Sequence, residues 1–313
     1  MTSELCRVCD RPSTHKLGPY TFCDAHYENA KRQRGGLWQA DLVSVVVLIA
    51  FVLLVYGVER WLRPKFTSDT LLLTGIILAL VPAIIWLAFF YRRDRLEPEP
   101  IKMVIEVFIL GGLLANTFGM PLVDHIYRIS DWLYHDPPWS NILGGVLVIG
   151  FTQEFLKYAA VRFSVYGSIE FDERTDGIIY ATAAGLGYAT ALNIAFVVSS
   201  GGVDLGVGSI RIVLTALAHA SFAGVMGHFL ARQKFESHPL WWMPLGVSLA
   251  ALLNGIFFYL RGMLAQTGLS AAGGDARTWT GLVLAAILAI AVTWILSRAI
   301  RRDLAAALEA EEK

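Results

Sequence analysis

The sequence predicts an all-α membrane protein, a bundle of about eight transmembrane helices with a small zinc-binding module at the N-terminus. Three observations predict it. The chain of 313 residues is 55% hydrophobic and only 17% charged, with a mean hydropathy of +0.53, whereas a soluble domain averages about 25% charged residues. Eight stretches are apolar over about 20 residues, the length at which a helix crosses the hydrocarbon core, and they are too long and unbroken for barrel strands of about 9–11 alternating residues. All three cysteines lie ahead of the first apolar run.

The first segment, residues 1–36, reads as the zinc module and its basic linker. Cys6-x2-Cys9 and Cys23-x2-His26 form two paired knuckles separated by 13 residues, the ligand count and spacing of a tetrahedral structural zinc site. Gly18-Pro19 in the spacer lets the second knuckle fold back. An odd cysteine count argues against a disulfide framework, and a cytoplasmic location keeps thiols reduced. The competing reading is an unstructured tail with incidental cysteines, and His15 is a rival ligand outside the knuckle spacing. A module this small folds only around its metal. Lys31, Arg32 and Arg34 are read as an anchor to anionic headgroups rather than as a nucleic-acid surface. No secretory signal peptide precedes the first helix, which begins near residue 40.

The transmembrane domain occupies residues 37–303, with helices near 40–62, 70–91, 101–123, 141–163, 177–199, 208–231, 239–260 and 278–300, followed by a short charged tail, 304–313. With the N-terminus inside, the inner segments hold 18 Lys and Arg and the outer loops 7, leaving Lys157 within a helix. The positive-inside bias therefore places both termini in the cytoplasm, although Arg60, Arg63 and Lys65 in the first outer loop oppose it. Trp38, Trp61, Trp132, Trp139, Trp241, Trp242 and Trp279 fall at helix ends, where amphipathic indoles belong.

Ionisable residues interrupt two of these helices. Glu154 and Lys157 lie in NILGGVLVIGFTQEFLKYAAVRF and His219 in VGSIRIVLTALAHASFAGVMGHFLA. A charge at the centre of a membrane helix costs about 2.5–3.5 kcal/mol on insertion scales, so such residues face a bundle interior. Glu154 and Lys157 are three apart and share a helix face, which also admits a plain intrahelical ion pair. At about 1.5 Å per residue, Glu154, His219, Asn193 and Asn254 occupy one layer near the midplane. Arg211, Thr215 and His219 form one stripe of their helix, a polar route from the outer surface to the centre. His228 points about 180° away from His219 and is read as a packing residue. Gly185 and Gly187 are read as permitting close helix packing.

At these residues the sequence resembles the PrsW family of intramembrane proteases, related to the CAAX prenyl endopeptidases, over a core of residues 92–260. RRDRLEPEPIKMVIEVFILGG resembles the family's Asp and Pro-Glu-Pro lead into a glycine-bearing helix, and QEFLK its Glu-Glu-x-x-Lys. FDERTDGIIYATAAGLGYATALN resembles the Asp-Gly-Ile-x-Tyr to Gly-Leu-Gly-Phe-Ala-x-x-Glu-Asn region. LAHASFAGVMGHFLA and LLNGIFFY resemble its His-bearing and Asn-bearing helices. The resemblance implies a catalytic set of which Glu154, Lys157, Asn193, His219 and Asn254 remain. Gln153 stands at the family's first glutamate, Leu192 at the glutamate before the asparagine, and Ala250 at an occasional histidine. A glutamine is no general base, so that role would pass to Glu154. Leu192 removes a second carboxylate, so a second metal in the membrane site is not expected.

Three readings follow. The first is a degenerate protease scaffold in the cell membrane of a prokaryote, whose polar cavity binds a transmembrane or lipidic partner. The second is an active glutamic-type or metal-assisted endopeptidase using Glu154 as base with His219 and Asn193 at the oxyanion. The third is a transporter or channel along the Arg211–Thr215–His219 stripe, which no internal repeat supports.

Overall fold

The hydrocarbon core offers no water to backbone N–H and C=O groups, so a spanning chain closes its hydrogen bonds within itself, and the apolar stretches do so as helices. The computed structural model describes residues 67–91, 99–133, 138–201, 207–265 and 276–309, with parts of 5–32 and 46–61. The predicted helix at 40–62, Trp38 and the first outer loop fall largely outside the described residues.

Near the N-terminus, β1 (His15–Leu17) and β2 (Tyr20–Phe22) pair antiparallel and lead into α1 (Asp24–Arg32). The spacer between the knuckles is thus a hairpin that returns the chain to its start. The membrane part follows as α2 (Ser68–Tyr91), α3 (Ile101–Ile126), the short α4 (Ile129–Trp132), α5 (Trp139–Ser164), α6 (Arg174–Ser199), α7 (Val207–Phe235), α8 (Trp242–Ala265) and α9 (Ala276–Glu309). Six of these (α2, α3, α5, α6, α7 and α8) are long and apolar enough to cross a membrane, and α9 carries a shorter apolar stretch, Ala286–Ala299. Residues Ala115–Gly119 and Leu122–Ile126 of α3, and Gly145–Gly150 of α5, take wider π turns.

The centre of the bundle is the α6–α7 pair. In the apolar windows, 72% of α6 and 83% of α7 is buried inside the protein, against at most 44% of the other four. Sequence explains this: α6 carries TAAGLGYATALN, a run of small residues that lets neighbouring backbones approach. A Cβ on Gly187 would stand 1.8 Å from the Phe108 carbonyl oxygen of α3, and one on Gly185 would stand 2.4 Å from the His219 carbonyl oxygen of α7. Both glycines therefore serve close packing. On the far side of α7, the Ser221 and Thr293 hydroxyls meet at 2.6 Å, tying α9 to the helix that bears His219.

At the N-terminal end of α6 a second polar knot closes the bundle. Asp176 Oδ2 accepts from the backbone N–H groups of Asp172 (2.8 Å) and Glu173 (2.5 Å), forming a capping box that starts the helix. Tyr180 donates its hydroxyl to Glu99, the glutamate of the Pro-Glu-Pro sequence. Lys234, at the C-terminal end of α7, donates to the carbonyls of Tyr166 and Phe171 at 2.6 Å each and holds the α5–α6 loop.

Candidate functional site

The residue spacing of α5 builds the site. Glu154 and Lys157, one turn apart, both have fully buried side chains, and Lys157 Nζ lies 2.6 Å from Glu154 Oε1. The same ammonium reaches across to α7, where it lies 2.8 Å from His219 Nδ1. From α8, the Asn254 amide donates to Glu154 Oε1 at 2.7 Å and to the Gln153 side-chain oxygen at 3.0 Å. Three helices thus converge on one carboxylate, and His219 stands two hydrogen bonds from Glu154, through Lys157. With Lys157 as an ammonium, which can only donate, Nδ1 of His219 is the acceptor in this contact, the arrangement of a ring that carries its proton on Nε2. From α6, Tyr188 stacks on His219 with centroids 5.9 Å apart and planes at 21°, and its ring lies 5.3 Å from Lys157 Nζ. That face adds cation–π attraction to a buried charge.

Beside this cluster lies a cavity of about 320 Å³, at the lower end of the range of ligand pockets, about 300–1,000 Å³. Gln153, His219 and Asn254 border it in the membrane interior; Asp124, Ser199 and Arg211 border it near the ends of their helices. Glu154 does not border it and is 0% exposed. It lies behind Gln153, whose neighbouring position on the helix turns it by about 100°. All three π turns border this cavity, the first through Gly119, the second through Val123 and Asp124, and the third through Ile149. A π turn widens the helix and changes the register of the side chains around it.

The remaining sequence-expected residues divide. Arg211 borders the cavity with its guanidinium 3.4 Å from the Phe196 ring centroid, whereas Thr215 is buried away from it. Asn193 donates instead to the Ile212 carbonyl at 3.1 Å, linking α6 to α7 apart from the Glu154 group. Leu192, its neighbour, forms part of the cavity wall. His228 lies edge-on to Phe229. Two contributions went unread in the sequence: the aromatic cover from Tyr188, and which of Gln153 and Glu154, set about 100° apart on the helix, borders the cavity. The second had a signal, since adjacent positions on a helix cannot share a face.

The N-terminal cluster is of a different kind. The ligand atoms of Cys6, Cys9, Cys23 and His26 all lie within 4.8 Å of one another. His26 Nδ1 is 3.5, 3.4 and 3.3 Å from the sulfurs of Cys6, Cys9 and Cys23, and Cys9 and Cys23 sulfurs are 3.8 Å apart. A tetrahedron with Zn–S of about 2.3 Å and Zn–N of about 2.0–2.1 Å has S–S edges of about 3.8 Å and S–N edges of about 3.5 Å. The donor set fits a zinc ion. His15 is engaged elsewhere: its Nε2 pairs with Asp24 at 2.9 Å and its ring stacks on Tyr27.

Comparison with known proteins places the membrane part. The profile of PrsW family intramembrane metalloproteases matches residues 99–296. The chain belongs to the PrsW family. Protease PrsW of Oceanobacillus iheyensis is 32% identical over 190 residues, which cover 60% of this chain and 83% of the relative. Protease PrsW of Halalkalibacterium halodurans is 29% identical over 180 residues, 57% of this chain and 79% of the relative. Protease PrsW of Bacillus subtilis is 28% identical over 188 residues, 58% of this chain and 79% of the relative. No solved structure matches. The matches to these three relatives span at most 60% of the chain, and the family profile begins well after the cysteine knuckles.

The family description includes a metal, and the membrane cluster can be tested against one. A divalent ion takes at least three protein ligands in zinc enzymes. The Glu154 cluster holds one carboxylate and one imidazole, with the Lys157 ammonium already against both, and the further carboxylate of Asp124 stands on the cavity wall near the end of α3. These residues do not fit a divalent cation. Glu154 Oε2 is buried with no hydrogen-bond partner among the described residues, a position that one buried water suits.

Proposed function

We propose that this protein is a PrsW-family integral membrane protein whose cavity binds an unwound segment of a transmembrane partner without hydrolysing it. The observation that carries the reading is the exchange of roles between Gln153 and Glu154. The group that borders the cavity is a neutral amide, and the carboxylate is fully buried behind it and neutralised by Lys157. A general base must reach the proton it removes, and it supplies about 10²–10⁴-fold in rate. With Nδ1 of His219 taken by Lys157, the ring offers the cavity a donor rather than a base. Amides and an imidazole N–H suit backbone carbonyls, which lose their partners when a helix unwinds in lipid. In this reading the termini lie in the cytoplasm, as the distribution of Lys and Arg supports, and Cys6, Cys9, Cys23 and His26 hold one structural zinc.

The test is a cleavage assay on membrane-tethered peptides, with photocrosslinking from the cavity wall in parallel. Wild type is expected to crosslink a transmembrane peptide and to cleave none above background, and Gln153→Glu with Leu192→Glu is the combination expected to recover cleavage. The second reading, an active endopeptidase with Glu154 as base, draws on the unpartnered Oε2 of Glu154. Robust wild-type turnover that is lost in Glu154→Ala would establish it and overturn the first.

A further inference from the structure

The two cation-binding arrangements of this chain use different cations. At the N-terminus, three sulfurs and one imidazole nitrogen lie within 4.8 Å of one another and bring no cation of their own. In the membrane, the place between a carboxylate oxygen and an imidazole nitrogen is taken by a side chain of the same helix turn. Lys157 Nζ is 2.6 Å from Glu154 Oε1 and 2.8 Å from His219 Nδ1, and its side chain is 0% exposed. We propose that the Lys157 ammonium is the resident cation of the membrane site, standing where a metalloprotease would hold its metal, and that this site binds no divalent ion.

Charge and geometry both support the assignment. Lys157 engages one oxygen of Glu154 and one nitrogen of His219, Oε1 and Nδ1, and so already bridges the anion and the imidazole that a shared metal would have to bridge. Oε1 also accepts from Asn254 at 2.7 Å. A doubly charged ion entering beside the ammonium would find Glu154 as the one carboxylate of the cluster, with Asp124 on the cavity wall near the end of α3, and would add positive charge to a water-poor interior that already holds a buried ammonium. Lys157 is enclosed, with a side chain 0% exposed and the Tyr188 ring 5.3 Å from Nζ. The ammonium also does what a metal would do for orientation: it holds His219 by Nδ1 and so directs the Nε2 side of the ring away from Glu154. The inference goes beyond the proposed function and stands whether or not the protein cleaves its partner.

Metal content tests it directly. Full-length protein purified through a tag without histidine is measured by elemental analysis, as wild type, as Cys6→Ser with Cys23→Ser, and as His219→Ala. Wild type and His219→Ala are expected to hold about one zinc per chain, and the double cysteine variant less than a tenth of that. One equivalent of metal that survives in the double cysteine variant and disappears on adding Glu154→Gln would overturn the proposal. Nitrogen-15 NMR of the histidines, with His219 assigned by difference against His219→Gln, gives an independent readout. The expected signal is a neutral ring protonated at Nε2; a proton on Nδ1, or on both nitrogens, would overturn the role given to Lys157.

Discussion

The N-terminal cluster and the membrane cluster solve one problem in opposite ways. Each gathers electron-donating side chains from separated parts of the chain into a small volume. The N-terminal cluster draws three thiols and an imidazole onto a hairpin and a short helix too small to hold a core, the setting in which a small module folds around an added ion. The membrane cluster draws a glutamate, an imidazole and two amides into a bundle already held by helix packing, and it carries its own cation in Lys157. The difference teaches that a donor cluster requires a metal only when its own side chains leave the charge open.

Removing the ion is the strongest way to separate the two regions. Structural zinc supplies about 10–16 kcal/mol of folding free energy in small finger modules. A strong chelator, or Cys23→Ser, is therefore expected to make residues 1–36 protease-sensitive while the bundle melts unchanged in detergent. Loss of the bundle together with the module would erase the distinction.

Next in size is the loss of the resident cation. Breaking a buried ion pair from one side costs about 3–5 kcal/mol because the partner is left charged and unpaired. Lys157→Met is expected to lower the detergent melting temperature sharply, and Lys157→Met with Glu154→Gln to recover most of the loss. If the double variant melts as low as the single, the pair is not the source of the cost.

Packing at the α6 seam comes third. Gly187→Ala places a methyl 1.8 Å from the Phe108 carbonyl, and such overpacking costs about 1–3 kcal/mol. The same change at Gly167, where a Cβ meets nothing within 4 Å, should leave the melting temperature unchanged. The smallest effect expected is that of Tyr180→Phe. It removes one hydrogen bond to Glu99, which keeps its side-chain hydrogen bond with Asp176, and a typical hydrogen bond contributes about 0.5–1.5 kcal/mol net. Thermal melts read it as a modest shift with the metal content intact.

Much of the bundle was legible in the sequence because lipid imposes length and composition on each span. The predicted 70–91, 101–123, 141–163, 177–199, 208–231 and 239–260 correspond to α2, α3, α5, α6, α7 and α8, with ends shifted by a few residues. Spacing also put Glu154 and Lys157 on one face. What depends on rotation about helix axes was not legible. Depth alone grouped Asn193 with Glu154, His219 and Asn254, yet its side chain turns to the Ile212 carbonyl. The π turns at Ala115–Gly119 and Gly145–Gly150 change the register of α3 and α5, and no spacing rule for a regular helix contains them. Likewise the contact of Tyr180 with Glu99 joins positions 81 residues apart, which only the folded bundle brings together.

The length of α9 has a mechanical consequence. Its apolar stretch ends at Ala299, and the helix continues to Glu309, a further reach of about 15 Å at 1.5 Å per residue. That extension is a stiff shaft in series with the membrane portion. Through the Ser221–Thr293 contact, the shaft is geared to α7 two residues from His219. A turn of α9 about its axis would therefore act on α7 beside His219, which stands on the cavity wall.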